Sequence, residues 1–424
     1  MTIETTGSPP QRPSQRLPLL VLTALVTALV VAAAAQGWRL AALAGVGVLL
    51  GASLQHAQFG FASGYRKLLV HGDGRGVLAQ LALLALVTIL FTPLLLSGVA
   101  RGAVAPVALQ AAVGATLFGV GMQLGSGCAC GTLYAIGGGS GLMLFTLASF
   151  AGGSFLATLT AGLWQGLPRL EPQSLLVHWG WAGALLQLLV LAALALLLLG
   201  RQRSASSATA STVATAATAS TVATAAPGAI AAPWAFLSPR SSLPSGRPSL
   251  RQLGRTLLVG PWSPLGGALA LALLSGVTLL LAGRPWGVTW GFTLWAAKLA
   301  HLVGWDPSTS ALWRQETFAR ALHAGLLEDI TSVMNLGIVL GAAAAAAAAG
   351  QWRLRPPASF RAVAASLVGG LLMGYGAWLS FGCNVGAYLA GIGSTSLHGW
   401  LWIGFALLGT ALGVRLRPRF GLAN

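Results

Sequence analysis

Acidic side chains are almost missing: Asp and Glu together supply 7 of 424 residues, and all charged types make up 7% of the chain. Such a chain cannot present an ordinary water-compatible surface, nor can it repeat a carboxylate-rich metal or acid–base centre along its length. Cysteine is equally scarce. Cys128, Cys130 and Cys383 are too few for a disulfide framework or a Cys-only zinc centre. His56, His71, His178, His301, His323 and His398 show no metal-finger spacing, so nothing calls for a zinc ion or another resident cofactor. The formal charge of +17 comes from bases scattered between apolar runs, with no continuous stripe and no nucleic-acid motif. Nucleic acid is therefore not an expected partner.

What is abundant is apolar. Hydrophobic residues reach 55%, with 57 glycines, 15 tryptophans and a mean hydropathy of +0.77, the make-up of a chain whose solvent is largely the lipid bilayer. Runs long enough to cross about 30 Å of hydrocarbon as helices lie near 17–35, 38–55, 76–98, 103–124, 141–163 and 175–200, then near 264–283, 325–349, 360–379 and 399–415. The fold class expected is an all-α polytopic membrane protein with about ten transmembrane helices. The first run reads as an uncleaved span, with a cleaved signal peptide as the alternative. Placing the N-terminus in the cytoplasm puts 17 of the 24 bases inside and 7 outside, which favours that orientation and brings both termini to the cytoplasmic face.

Four regions follow from the pattern. Residues 1–37 form a cytoplasmic N-terminus and an extra first span, and 38–200 a first membrane repeat with a connecting span. Residues 201–260, rich in Ser, Thr, Ala and Pro, read as a disordered cytoplasmic linker, and 261–424 as a second membrane repeat.

The two halves share a motif. At an offset of 255, residues 113–142 align with 368–397 at 12 of 30 positions, superposing Gly127-Cys128-x-x-Gly131 on Gly382-Cys383-x-x-Gly386. Five spans separate the copies, and an odd separation inverts one half relative to the other. Glycine-interrupted segments that meet near the midplane of inverted repeats are a common transporter plan. Lipid satisfies no backbone N–H or C=O, so the interrupted segments must be buried in protein or line a polar path, as re-entrant loops. Weaker echoes occur at 55–69 and 286–299, each with a Gly-Phe step.

A lone cysteine in an apolar helix is usually a small buried hydrophobe. Two at equivalent positions, flanked by glycines that remove side-chain bulk, instead suggest sulfurs set along one pathway. Cys128 and Cys383 are the principal substrate-path residues expected, with Cys130, Asn384 as an amide donor, and Gly127, Gly131, Gly382 and Gly386 around them. Other readings remain open. A Cu(I) path could use the cysteines with Met122 or Met373, and a thiol sulfurtransferase would want an activating base that neither segment contains. A structural disulfide or plain packing are also possible. Glu328 and Asp329, near the start of the eighth span, read as helix-terminal acids paired with Arg314 or Arg320, with proton coupling as the sharper alternative. Lys298 and Arg284 could draw an anion into an outer funnel.

At GSGCACGTLYAIGGGSG (125–141) and SFGCNVGAYLAGIGS (380–394), supported by FGFASGYRKL (59–68) and GRPWGVTWGF (283–292), the chain resembles the YeeE/YedE family, also called the sulphur transport family. The resemblance implies an hourglass-shaped bacterial inner-membrane protein that is not an enzyme and imports a small sulfur-containing anion such as thiosulfate. Cysteines on its central path, here Cys128 and Cys383, would pass the anion inward through transient S–H···S contacts. It also implies a cytoplasmic sulfur carrier or rhodanese as a partner. Thiosulfate-type members carry a further cysteine in a loop that falls near Ala57, Gln58 and Phe59 here, where there is none. Cys130 is the residue that could stand in for it.

Overall fold

In the computed structural model, which describes residues 15–217 and 250–424, helix dominates and ten segments are long and apolar enough to cross a bilayer. They coincide with the ten runs read from the sequence. The first half contains α1 (Arg16–Ala34), α2 (Trp38–Ala57), α3 (Phe61–His71), α4 (Arg75–Leu96), α5 (Leu109–Leu124), α6 (Ala129–Gly137) and α7 (Leu142–Leu159). A short α8 (Leu175–Trp179) leads to α9 (Trp181–Ala217) and, later, α10 (Leu250–Val259). The second half has α11 (Pro264–Ala282), α12 (Thr289–Leu302), α13 (Glu316–His323), α14 (Ile330–Ala348) and α15 (Phe360–Leu379). A π-helical turn (Asn384–Leu389) then runs into α16 (Ala390–Gly393) and α17 (Leu397–Leu416). Of the linker expected at 201–260, residues 218–249 lie outside the described residues. Residues 201–217 continue α9 as helix, and 250–259 form α10.

Apolar composition makes these segments helical in lipid, because a helix satisfies its own backbone. Packing then decides which are central. Helices α1 and α9 bury only 17% and 22% of their apolar windows, so they are peripheral, whereas α14 buries 72%. The packing partners exchange when the halves are exchanged: α7 lies on α15 and α5 on α17, while α2 lies on α14 and α4 on α11. Two pairs are their own counterparts, α5 with α15 and α2 with α11. The offset of 255 found in the sequence also holds for the breaks, since the starts of α6 and α7 map onto Asn384 and Leu397.

Glycine sets the distance across the centre. A Cβ added at Gly114 would lie 2.7 Å from the carbonyl oxygen of Gly376, and one at Gly376 would lie 2.4 Å from that of Gly114. Gly121 and Gly369 make the equivalent approach, at 2.5 Å from the Gly369 oxygen and 2.3 Å from the Gly125 nitrogen. Helices α5 and α15 therefore touch backbone to backbone, the arrangement small residues permit where lipid supplies no hydrophobic drive. The one sheet among the described residues is a two-stranded clasp, Val107–Ala108 against Arg169–Leu170. It ties the start of α5 to the loop beyond α7.

The acids at the start of α14 act as caps. Asp329 accepts from the Ser332 amide and from Trp290 Nε1, and Glu328 accepts from the Gly325 amide. The pairing expected with Arg314 or Arg320 is not formed, because Arg320 bonds Glu316 one turn away instead.

Gly376→Leu is expected to force α5 and α15 apart and to cost about 1–3 kcal/mol, read as a clearly lowered unfolding temperature in detergent. Gly404→Leu, where an added Cβ meets open space, should leave that temperature unchanged.

Candidate functional site

Each Gly-Cys segment breaks a helix in the same manner. Helix α5 ends at Leu124, Ser126 takes the left-handed conformation at φ 58°, and Cys128 becomes the extended N-cap of α6. In the second half α15 ends at Leu379, Phe381 is left-handed at φ 59°, and Cys383 is the extended N-cap of the π-helical turn. Ser126 and Phe381 are themselves 255 residues apart. Left-handed backbone is unusual for such residues, so its recurrence marks one local fold built twice. Gly382, at φ 147°, has to be glycine, since a Cβ there would come within 2.7 Å of the Ala387 nitrogen.

This geometry turns the amides at the start of each new half-helix toward a sulfur. The Cys383 Sγ accepts from the Val385 amide at 3.4 Å, and the Gly386 amide also reaches it. The Cys128 Sγ is reached by the Gly131 amide and by that of Phe61 at the start of α3. Unpaired N–H groups at a helix start carry partial positive charge. Two such positive ends, each tipped with a polarisable thiol, thus sit inside the bundle.

All three thiols are free and buried, with Cys128 at 2% and Cys383 at 1% exposure, and they belong to one continuous apolar cluster with Tyr65, Met122, Met373 and Tyr388. Neither principal cysteine faces lipid. Cys130 lies beside Cys128, with the sulfurs 3.4 Å apart. The turn at 57–59 leads into the start of α3 beside Cys128: Gln58 lines a cavity, and Phe59, in the same buried cluster as the cysteines, packs edge-on against Phe61. Asn384 is fully buried. Neither of its amide atoms closes a hydrogen bond, and the Tyr65 hydroxyl beside it, which Tyr388 also adjoins, is likewise unsatisfied. Burying such groups unpaired costs about 1–3 kcal/mol each. Tyr388 is held in place by stacking on Trp402, whose indole N–H donates to Ser380 Oγ.

The glycines around the sulfurs differ between halves. A Cβ at Gly131 would press on the Cys128 sulfur at 3.3 Å, and one at Gly127 would make ordinary contact, but one at Gly386 would meet nothing within 4 Å. Space is therefore open beside Cys383.

Two cavities approach this cluster from opposite ends of the bundle. One, of about 410 Å³, is lined by Gln110, Trp164, Arg169, Trp290 and Trp378 and ends on Phe381 and Gly382, directly before Cys383. The other, of about 490 Å³, is lined by Gln55, His56, Gln58, Gln351 and Arg355 and borders Tyr134, one turn beyond Cys130. The first opens at the end of α15, and Arg355 of the second lies just ahead of its start. Twenty helical residues between them amount to about 30 Å.

Sequence reasoning singled out the cysteines, Asn384 and their glycines, but it missed Tyr65 and Tyr388. A signal for them exists: of the four tyrosines in the chain, Tyr65, Tyr134 and Tyr388 fall in the glycine-broken segments. Among the described residues no three His, Cys, Asp or Glu side chains converge as metal ligands.

A multi-pass helical bundle with cavities entering from both ends and buried thiols between them has the build of a membrane transport protein. The chain belongs to the Sulphur transport family, whose sequence pattern matches residues 56–412. It is 28% identical over 370 residues to the thiosulfate transporter TsuA of Spirochaeta thermophila, covering 86% of this chain and 94% of that protein. It is 32% identical over 174 residues to the probable transporter YedE of Escherichia coli K12, and over 176 residues to that of Salmonella typhimurium LT2. Both of these alignments span 41% of this chain and 41% of the YedE proteins' length.

Burial predicts slow thiol chemistry. In detergent, maleimide should alkylate all three cysteines at least tenfold more slowly than a free thiol, with Cys383, next to the open space, reacting before Cys130. Peptide mass spectrometry reads the order, and rapid labelling of Cys130 in folded protein would contradict the burial described.

Proposed function

We propose that the chain imports a small sulfur-containing anion, thiosulfate or a close relative, along a path joining the two cavities through Cys128 and Cys383. The observation that carries this is the pair of buried thiols, each on the N-terminus of a half-helix, between cavities at opposite ends of the bundle. The name of the Spirochaeta relative supports the substrate class.

The chemistry suits the substrate. An oxyanion crossing a low-dielectric centre loses its hydration, and the helix starts at Cys128 and Cys383 return part of that stabilisation as fixed N–H dipoles. A thiol adds a weak S–H donor on a soft, polarisable atom. A terminal sulfane sulfur is a soft acceptor that matches it, whereas sulfate offers only hard oxygens. Asn384 and Tyr65, buried with unused polar atoms, would supply the remaining contacts as the anion passes. Cys130, against Cys128, widens the sulfur surface in the first half. Gly127, Gly131, Gly382 and Gly386 keep the passage free of side chains.

The same reading sets the membrane orientation. The halves, 38–200 and 261–424, insert in opposite senses and their Gly-Cys segments re-enter toward the midplane. Residues 1–37 add a peripheral span, and 201–260 connect the halves on the cytoplasmic face. Both termini lie on the cytoplasmic side of a bacterial inner membrane, where a sulfur carrier or rhodanese takes up the imported anion. The cavity at Trp290 and Arg169 is then the outer mouth and that at Arg355 the inner one. The protein moves its substrate without transforming it, so detergent-solubilised protein should release no sulfite from thiosulfate.

Two substitutions test the path. Cys383→Ser should abolish uptake of labelled thiosulfate by a host lacking its own transporter, with normal protein in the membrane, and undiminished uptake refutes the role of the thiol. Gly386→Leu should fill the open space beside Cys383 and cut uptake at least tenfold while leaving the unfolding temperature near wild type.

A further inference from the structure

Directly beside the Cys128 loop, two arginines share a contact, and among the described residues no acidic side chain pairs with either. Arg417, at the end of α17, is 5% exposed, and all of its hydrogen-bond acceptors are neutral. It donates to the carbonyl oxygens of Gln123 and Ala423 and, at 3.4 Å, to Ser126 Oγ. Arg66, on α3 five residues after Phe61, donates to Gln123 Oε1 at 3.4 Å. Gln123 is itself fully buried and donates to the Ala62 carbonyl, so one residue, through its side-chain oxygen to Arg66 and its backbone oxygen to Arg417, fastens both cations to the break before Cys128. Both guanidiniums are therefore held at the same residue, and neither forms an ion pair among the described residues.

Like charges held together in a half-buried site are costly unless an anion shares them. The paired halves show what the site corresponds to. Phe381 and Gly382 floor the open cavity at one end of the bundle, and their counterparts at the offset of 255, Ser126 and Gly127, lie under Arg417. The counterpart of Arg417 is Gly162, beside Ala161 and Trp164 on the rim of that open cavity. Where one half leaves a vestibule, the other sets a guanidinium.

We propose that Arg66 and Arg417 form a binding station for a small dianionic oxyanion, which bridges the two guanidiniums beside the break before Cys128. Arg66, bonded through Nη1 to Gln123, has donors left for the paired hydrogen bonds by which a guanidinium matches an oxyanion, and Arg417, with most of its N–H groups on neutral oxygens, adds its charge and a remaining Nη2 hydrogen. An anion leaving Cys128 would be received here before release, with Gln123 and Ser126 fixing the two forks. The station rests on the transport path proposed above, but its own binding can be read without transport. The same chemistry could be met by a lipid phosphate, and the test separates the two.

Purified full-length protein in detergent is heated with sodium thiosulfate or sodium sulfate, against sodium chloride at equal ionic strength. The oxyanions should raise the unfolding temperature of wild type and of Arg314→Gln, an exposed arginine elsewhere, but not of Arg66→Gln. Arg66→Lys, which keeps the charge and the fold, should need about tenfold more oxyanion for the same shift. In cells, Arg66→Gln should raise the thiosulfate concentration for half-maximal uptake about tenfold, whereas Cys383→Ser stops uptake at every concentration. An oxyanion shift in Arg66→Gln equal to wild type overturns the station whatever uptake does. Normal uptake by Cys383→Ser with the Arg66-dependent shift intact overturns the thiol path and leaves the station standing. Wild type in phosphatidylcholine discs with and without phosphatidylglycerol supplies the lipid arm. An Arg66-dependent shift with phosphatidylglycerol, and none with thiosulfate or sulfate, makes a headgroup the occupant and overturns the oxyanion station.

Discussion

A broken helix inside a bilayer exposes backbone groups that lipid cannot satisfy, and the rest of this molecule is arranged around shielding two such breaks. The breaks before Cys128 and Cys383 free amide groups inside the bundle, and they persist because the surrounding helices pack closely around them. That closeness depends on glycine. Gly114 against Gly376 and Gly121 against Gly369 bring α5 and α15 into backbone contact, and the breaks follow at the ends of those two helices. The aromatic groups complete the seal: Phe118 lies between Phe150 and Trp402, and Trp402 in turn supports Tyr388 and Ser380.

The two halves repeat this construction without being identical, and the differences lie where they alter the mouths of the molecule. The second half inserts α13 and a tryptophan-rich cluster between α12 and α14, while the first passes from α3 to α4 through a three-residue turn. The first half has two thiols in contact where the second has Cys383 with open space at Gly386. An arginine from the C-terminal segment covers the first break, and a cavity opens onto the second. A transport path built on such a frame has equivalent centres but unlike ends, as directional delivery would require.

Much of this was legible in the sequence. The span positions follow from apolar runs of the right length, and the paired breaks from a Gly-Cys-x-x-Gly motif recurring in register in a chain with only three cysteines. The break geometry was partly legible too, because clustered glycines disfavour a continuous helix. Other features depend on partners remote in sequence. Arg66 and Arg417 meet only because α3 and α17 pack beside the end of α5, and nothing in either local sequence predicts the Gln123 link. Asp329 looked like half of an ion pair, but the nearer amide of Ser332 and the indole of Trp290 take its oxygens instead. The Ser/Ala-rich stretch after Arg201 reads by composition as a linker, yet its first turns extend α9, since alanine favours helix wherever one is already under way.

The central claim is that thiols at the starts of two paired half-helices select sulfur-bearing anions, and counterflow in proteoliposomes measures this directly. Vesicles loaded with unlabelled thiosulfate should accumulate labelled thiosulfate, sulfate loading should not support it, and a small methanethiosulfonate reagent that modifies Cys383 should stop it. Equal counterflow with sulfate, or undisturbed thiosulfate exchange after complete modification of Cys383, would contradict the account.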